Sequence, residues 1–176
     1  MNLTKLFRTA LTICALFAGF TSTAQADFHI ERGDTTGLAT LDVGAIYLDA
    51  GNAVPYDALT FTVTAGGVWQ FLAMAEFDSA IFLYAGSFDA AAPTTNLIAH
   101  SNDIFSPDTS GFVTYMFPGL TYTVVVSGLE DDEFGKYSLT IAGPGSVAAV
   151  PEPSTWLMLA FGLAAITYAR RRAALR

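Results

Sequence analysis

The sequence predicts an all-β fold: a single antiparallel β-sandwich or jelly roll, flanked by an N-terminal signal helix and a C-terminal transmembrane helix. Three observations carry this expectation. Residues 58–64 alternate, with Leu59, Phe61 and Val63 pointing one way and Thr60, Thr62 and Thr64 the other. Turn residues such as Gly66-Gly67, Gly86 and Pro118-Gly119 punctuate the middle of the chain, roughly every 8–12 residues, as in all-β folds. No stretch of residues 27–149 holds the 3.6-residue period of an amphipathic helix.

The front end has the anatomy of a secretory signal. Lys5 and Arg8 form a basic start, and Ala10 to Phe20 an 11-residue apolar core. Ala24-Gln25-Ala26 supplies a small-x-small cleavage pattern, so the Sec machinery should export the chain and cleavage should follow Ala26. Ile13 precedes Cys14, where a lipoprotein would need a small residue. Cys14 is the only cysteine and leaves with the signal. The mature chain can therefore form no disulfide, thiolate metal site or cysteine nucleophile.

Residues 27–142 form one domain, long enough to bury a sizeable core. Phe28 to Leu48 is expected to add two or three edge strands. Strands follow at Ala58–Thr64 and at Val68–Met74, where Trp69 and Phe71 share a face. Further strands are expected at Ser79–Tyr84, Leu97–Ser101, Gly111–Phe117, Thr121–Ser127 and Tyr137–Ala142. The total should be seven to nine. Gly143 to Val150 reads as a flexible linker, from its glycines, Pro144 and small residues.

Residues 27–150 hold fifteen acidic residues and two basic ones, Arg32 and Lys136, for a net charge of −13. That charge repels nucleic acid and anionic membrane surfaces. It suits a solvated extracellular surface, or cation binding. Two acidic loops are the candidate Ca²⁺ ligand sets: Asp103 and Asp108 in one, and Glu130, Asp131, Asp132 and Glu133 in the other. Neither follows the spaced EF-hand pattern, and four adjacent carboxylates cannot all face one ion. Asp78 is a strand-entry residue or a hard-cation ligand. No other cofactor is expected.

Catalytic patterns are missing from the sequence: there is no G-x-S-x-G, H-E-x-x-H or phosphate-cradling glycine loop. His29 would be the third mature residue, where fraying is expected. His100 has Ser101 and Asp103 near it, but sequence neighbours on a strand do not build a triad. Trp69, Tyr84, Tyr115 and Tyr122 are candidates for a sugar-binding face, with core packing expected for all four.

The stretch Phe77 to Tyr84, then Asn96-Leu97-Ile98-Ala99, Asn102-Asp103, Gly119 to Val126 and Gly135-Lys136-Tyr137-Ser138-Leu139 is similar to the bacterial pre-peptidase C-terminal type of β-sandwich. Ile81 stands where that pattern has its first leucine. The resemblance implies a non-catalytic module of a secreted protein.

The tail, residues 151–176, has three parts. Pro151-Glu152-Pro153 is hostile to helix. Trp156 to Ala169 is a run of 14 uncharged residues, spanning roughly 21 Å as a helix against about 30 Å of hydrocarbon. Trp156 and Tyr168 suit the two interfaces, and Arg170, Arg171, Arg172 and Arg176 predict a cytoplasmic end. Val150 to Arg176 resembles a PEP-CTERM sorting signal. The resemblance implies recognition by the membrane protease-transpeptidase exosortase, cleavage near the Pro-Glu-Pro motif, and a host that makes exopolysaccharide. The expected protein is exported through the inner membrane, transiently anchored, and released to the cell surface or matrix. It acts there without catalysis, in association with exopolysaccharide or biofilm. A carbohydrate- or calcium-binding module is the alternative.

Overall fold

The computed structural model describes residues 27–150 and, in the tail, Phe161, Leu163 and Ile166, which are helical. The signal peptide with Ala24 and Ala26, the tripeptide Pro151-Glu152-Pro153 and the arginines Arg170, Arg171 and Arg172 lie outside the described residues. Among the described residues no helix is long and apolar enough to cross a membrane.

Ten strands follow one another: β1 (Asp27–Asp34), β2 (Thr40–Leu41), β3 (Val54–Val63), β4 (Gly67–Ala75), β5 (Ser79–Ala85), β6 (Leu97–Ser101), β7 (Thr109–Met116), β8 (Thr121–Gly128), β9 (Lys136–Gly143) and β10 (Val147–Ala149). They build two antiparallel sheets. One has the order β1-β9-β4-β7. The other runs β10-β3-β8-β5-β6, with β2 also on β3. The region Phe28 to Leu48 contributes β1, β2 and a short 3-10 turn at Val43–Ala45.

The sheets share one core. Phe61, Val63, Ile81, Leu83, Tyr122, Val124 and Val126 meet Trp69, Phe71, Met116, Tyr137, Leu139 and Ile141 in it. The alternation at 58–64 lands as the sequence predicts: Phe61 is fully buried, while Thr60 reaches the Thr123 hydroxyl at 3.2 Å on the opposite face.

A second apolar cluster lies on the far side of the six-stranded sheet. Val54, Ala80, Phe82, Tyr84 and Val125 are covered by Leu41 and Val43, with Ile46, Tyr47 and Phe88 packed against them. The covering segment is held by its own polar groups. Ala45 N–H donates to Asp42 at 3.1 Å, Gly51 N–H to the Leu129 carbonyl at 3.0 Å, and Ala53 N–H to Asp131 at 2.8 Å. Strands β5 and β8 are thus buried on both faces. That is the physical reason for the unbroken runs Ile81-Phe82-Leu83 and Val124-Val125-Val126.

The structure departs from the sequence reading in several places, beginning with the strand count: ten form among the described residues where seven to nine are expected. The supposed linker at 143–150 is part of the sheets. Gly143 ends β9, and β10 pairs with the outer edge of β3, Val147 opposite Val63 and Ala149 opposite Phe61. The open edge of β3 makes this strand, since Val-Ala-Ala carries little strand signal of its own. His29, expected to fray, instead lies in β1 opposite Ile141.

β2 and β10 share one edge of β3 but do not meet. Tyr56 N–H donates to the Ala39 carbonyl and Val150 N–H to the Thr60 carbonyl. Between those rungs Ala58 N–H faces neither strand and donates to Asp57 at 2.8 Å.

Candidate functional site

The four-stranded sheet has an outer face that is open except over Gly111, where the Ile104 side chain from the loop after β6 lies against it. The register fixes its rows. Arg32, Ser138, Met74 and Thr109 form one row; Ile30, Thr140, Leu72 and Gly111 the next; Phe28, Ala142, Gln70 and Val113 the third; Val68 and Tyr115 the last. Arg32 is the single charge in these four rows. The next row, Asp34 opposite Lys136, begins the charged end.

The face is apolar and open. Phe28 is 66% exposed, Met74 60%, Val113 62% and Tyr115 56%. Phe117 lies beside Tyr115 with ring centroids 5.0 Å apart and planes at 58°. At the corner near Phe28 a shallow cavity of about 440 Å³ is floored by Gly67 and Gly143 and walled by Phe28, Val68 and Pro144. Gln70 is the one polar side chain on it.

Tyr115, expected to pack in the core, instead stands exposed on this face, because its strand position faces outward with Val113. The other three candidate aromatics are buried, as expected. Trp69 donates to the Ala65 carbonyl at 3.3 Å, Tyr84 to the Pro93 carbonyl at 2.9 Å, and the Tyr122 hydroxyl accepts from Phe117 N–H at 2.9 Å. Phe28, Val68, Met74 and Val113 were missed. Their signal was the off-phase positions of the same alternations: if Trp69 and Phe71 face in, Val68 faces out.

The two acidic loops flank Asp78 at the other end. The strand order β8-β5-β6 makes them neighbours, because Glu130–Glu133 follows β8, Asp103 follows β6, and Asp78 opens β5 between them. Asp78 Oδ1 is buried and has no hydrogen-bond partner. Its carboxyl is pushed up to about 6, first by burial and then by Glu133, Asp103 and Glu130.

Three of the six loop carboxylates are taken up by backbone or hydroxyl donors. Glu133 accepts from Glu130 N–H at 2.8 Å and Leu129 N–H at 3.1 Å. Asp131 pins Ala53. Asp108 accepts from the hydroxyls of Ser106 and Thr109, which hold its carboxyl below the usual range. Asp132 is exposed on its turn. Among the described residues no three His, Cys, Asp or Glu side chains converge as a metal site.

The two histidines lie in different sheets, His29 in β1 and His100 in β6. His29 Nε2 stands 3.6 Å from Glu31. His100 Nδ1 is 2.8 Å from the Tyr47 hydroxyl. That hydroxyl is pushed up to about 12 by burial and then by Asp103, so it stays protonated.

Comparison with known proteins locates one motif. Residues 149–173 match the PEP-CTERM protein-sorting motif, which implies an exported protein processed by exosortase. No curated protein matches the chain. Among solved structures, the pre-peptidase C-terminal domain of collagenase from Bacillus anthracis is 16% identical, over 64% of this chain and 87% of that one, with a TM-score of 0.43. The Yersinia pseudotuberculosis-derived mitogen is 15% identical, over 74% and 93%, with a TM-score of 0.42. A CBM35 module from Cellvibrio japonicus is 11% identical, over 72% and 99%, with a TM-score of 0.40.

Proposed function

We propose that this chain, which carries a PEP-CTERM protein-sorting motif at residues 149–173, is a non-catalytic cell-surface protein that binds neutral exopolysaccharide through the outer face of its four-stranded sheet. One observation carries the reading: on a domain of net charge −13, four consecutive rows of that face bear no carboxylate. Anionic polymers are repelled by the domain as a whole. A neutral glycan is not, and its C–H faces can lie on Phe28, Tyr115 and Phe117. Gln70, Thr140 and Ser138 stand among the apolar side chains as hydrogen-bonding partners for hydroxyls.

Co-sedimentation of residues 27–150 with insoluble neutral and anionic polysaccharides tests this. Binding to the neutral polymer should fall at least tenfold in a Phe28→Ala/Tyr115→Ala variant and be indifferent to EDTA. Equal binding by the variant removes the reading.

A second reading, a calcium-dependent module, is favoured by the unpartnered Asp78 oxygen between the two acidic loops. Ca²⁺ takes about six to eight oxygens. Asp78, Asp103, Glu130 and Glu133 would have to draw together to supply them, against the turn-holding bonds that Glu133 already makes.

A further inference from the structure

The sorting motif begins at residue 149, and Ala149 is a rung of the six-stranded sheet, opposite Phe61. The motif and the fold therefore overlap. We propose that β10 is part of the segment that the processing protease reads, and that it must leave β3 before the tail is cut. The inference rests on the sorting reading and extends it to a step.

Geometry gives the reason. Val150 N–H is bonded to the Thr60 carbonyl, and Pro151 is the next residue. Only residues 151–155 separate this bond from the apolar run that begins at Trp156. Fully extended, that stretch reaches roughly 17 Å. A protease grips its substrate as an extended strand, by main-chain hydrogen bonds. While β10 is paired, β3 occupies one of its two backbone edges. Release would move the last fixed residue back to Gly143, which is held by Asp27 and Trp69. Seven further residues, 144–150, would then be free, adding roughly 23 Å of reach.

β10 is suited to release. It is three residues long and pairs only with β3. Ala148 and Ala149 are exposed, and Val147 alone packs against the core. Pro144 and Gly145 form the turn before it. Its departure leaves Phe61 and Val63 under the sheet, since β8 holds β3 from the other side.

The test uses the full chain in a host that carries exosortase, with intact-mass spectrometry as readout. Bonded rungs at 146/64 and 150/60 make Ala148 and Thr62 a bonded rung as well. Their Cα separation of about 5.5 Å is within disulfide range. The mature chain has no other cysteine, so Thr62→Cys/Ala148→Cys locks β10 by one bond in an oxidising envelope. Ala148→Pro removes the rung's donor and loosens the strand.

The locked chain should lose its tail at least tenfold more slowly than wild type, and recover when a reductant is added to the cells. The single variant Thr62→Cys should be cut normally. Ala148→Pro should be cut as fast as wild type or faster. A locked chain cut at the wild-type rate, or an Ala148→Pro chain cut more slowly, overturns the inference while the sorting reading stands. A wild-type chain that keeps its tail overturns both.

Discussion

A Cβ placed on Gly143 would run into the indole of Trp69. Gly143 closes β9 opposite Asp27, and its bare backbone is what lets the largest core side chain lie flat beneath it.

Gly143→Ala should therefore destabilise the domain by roughly 1–3 kcal/mol, as overpacking does. At Gly86 a Cβ meets nothing within 4 Å, but φ is +89°. Gly86→Ala should cost about 1 kcal/mol, from backbone strain alone. Urea denaturation of residues 27–150 measures both. A Gly143→Ala loss that Trp69→Phe fails to relieve would disconnect the two residues.

The facing of β3 gives a sharper contrast. Phe61 is fully buried among Phe71 and Tyr122. Phe61→Ala should cost roughly 3–5 kcal/mol, and Thr62→Ala well under about 1. Equal small losses in a denaturant melt would mean that the facing is wrong.

Asp78 makes stability depend on pH. Its folded carboxyl titrates at about 6, above the ordinary 3.8, so between those values the folded chain holds a proton that the unfolded chain has lost. This group's contribution is therefore best at low pH, and it falls as pH rises through the window from 3.8 to about 6. Asp78→Asn should raise the melting temperature at pH 7 by roughly 3 °C, allowing for partial solvent screening. At pH 4 it should change little. A thermal melt at the two pH values decides it. A variant less stable at pH 7 than wild type would show that the charged form is wanted, as it would be by a bound cation.

Salt should stabilise the domain without regard to the cation. Fifteen carboxylates face two cationic side chains between residues 27 and 150, so screening relieves repulsion. NaCl and CaCl₂ at equal ionic strength should shift the melting temperature alike, and EDTA should change nothing. A rise of many degrees in millimolar Ca²⁺ alone would promote the calcium-dependent reading through mass action.

The strands of this domain were legible because alternation and turns are local. Leu97–Ser101 has the same bounds in the sequence reading and in the structure, and the other expected strands overlap β3 to β9. What could not be read is what depends on partners. Val147-Ala148-Ala149 becomes a strand only because β3 offers it an edge. The cover over Phe82 and Tyr84 comes from Leu41 to Tyr47, whose apolar residues have no strand period. The open face was hidden because β4 carries large apolar residues on both sides, Val68, Leu72 and Met74 outward and Trp69 and Phe71 inward. Periodicity cannot tell a second core from bare surface there. The placing of the acidic loops on either side of Asp78 follows from the order β8-β5-β6, which is a property of topology and not of any one segment.

The gap along β3 bears on a hazard that secreted β proteins share. A free sheet edge is a template on which another chain can grow fibres. Here Ala58 is the one open rung between β2 and β10, and Asp57 Oδ1 already caps its N–H. The other oxygen of the same carboxylate accepts from the Tyr137 hydroxyl at 2.9 Å, so Asp57 is aimed inward and fixed. An incoming strand would find that donor spent and a charge in the row. One aspartate thus works as a gatekeeper against edge-to-edge polymerisation, guarding the side of the molecule where β10 is docked.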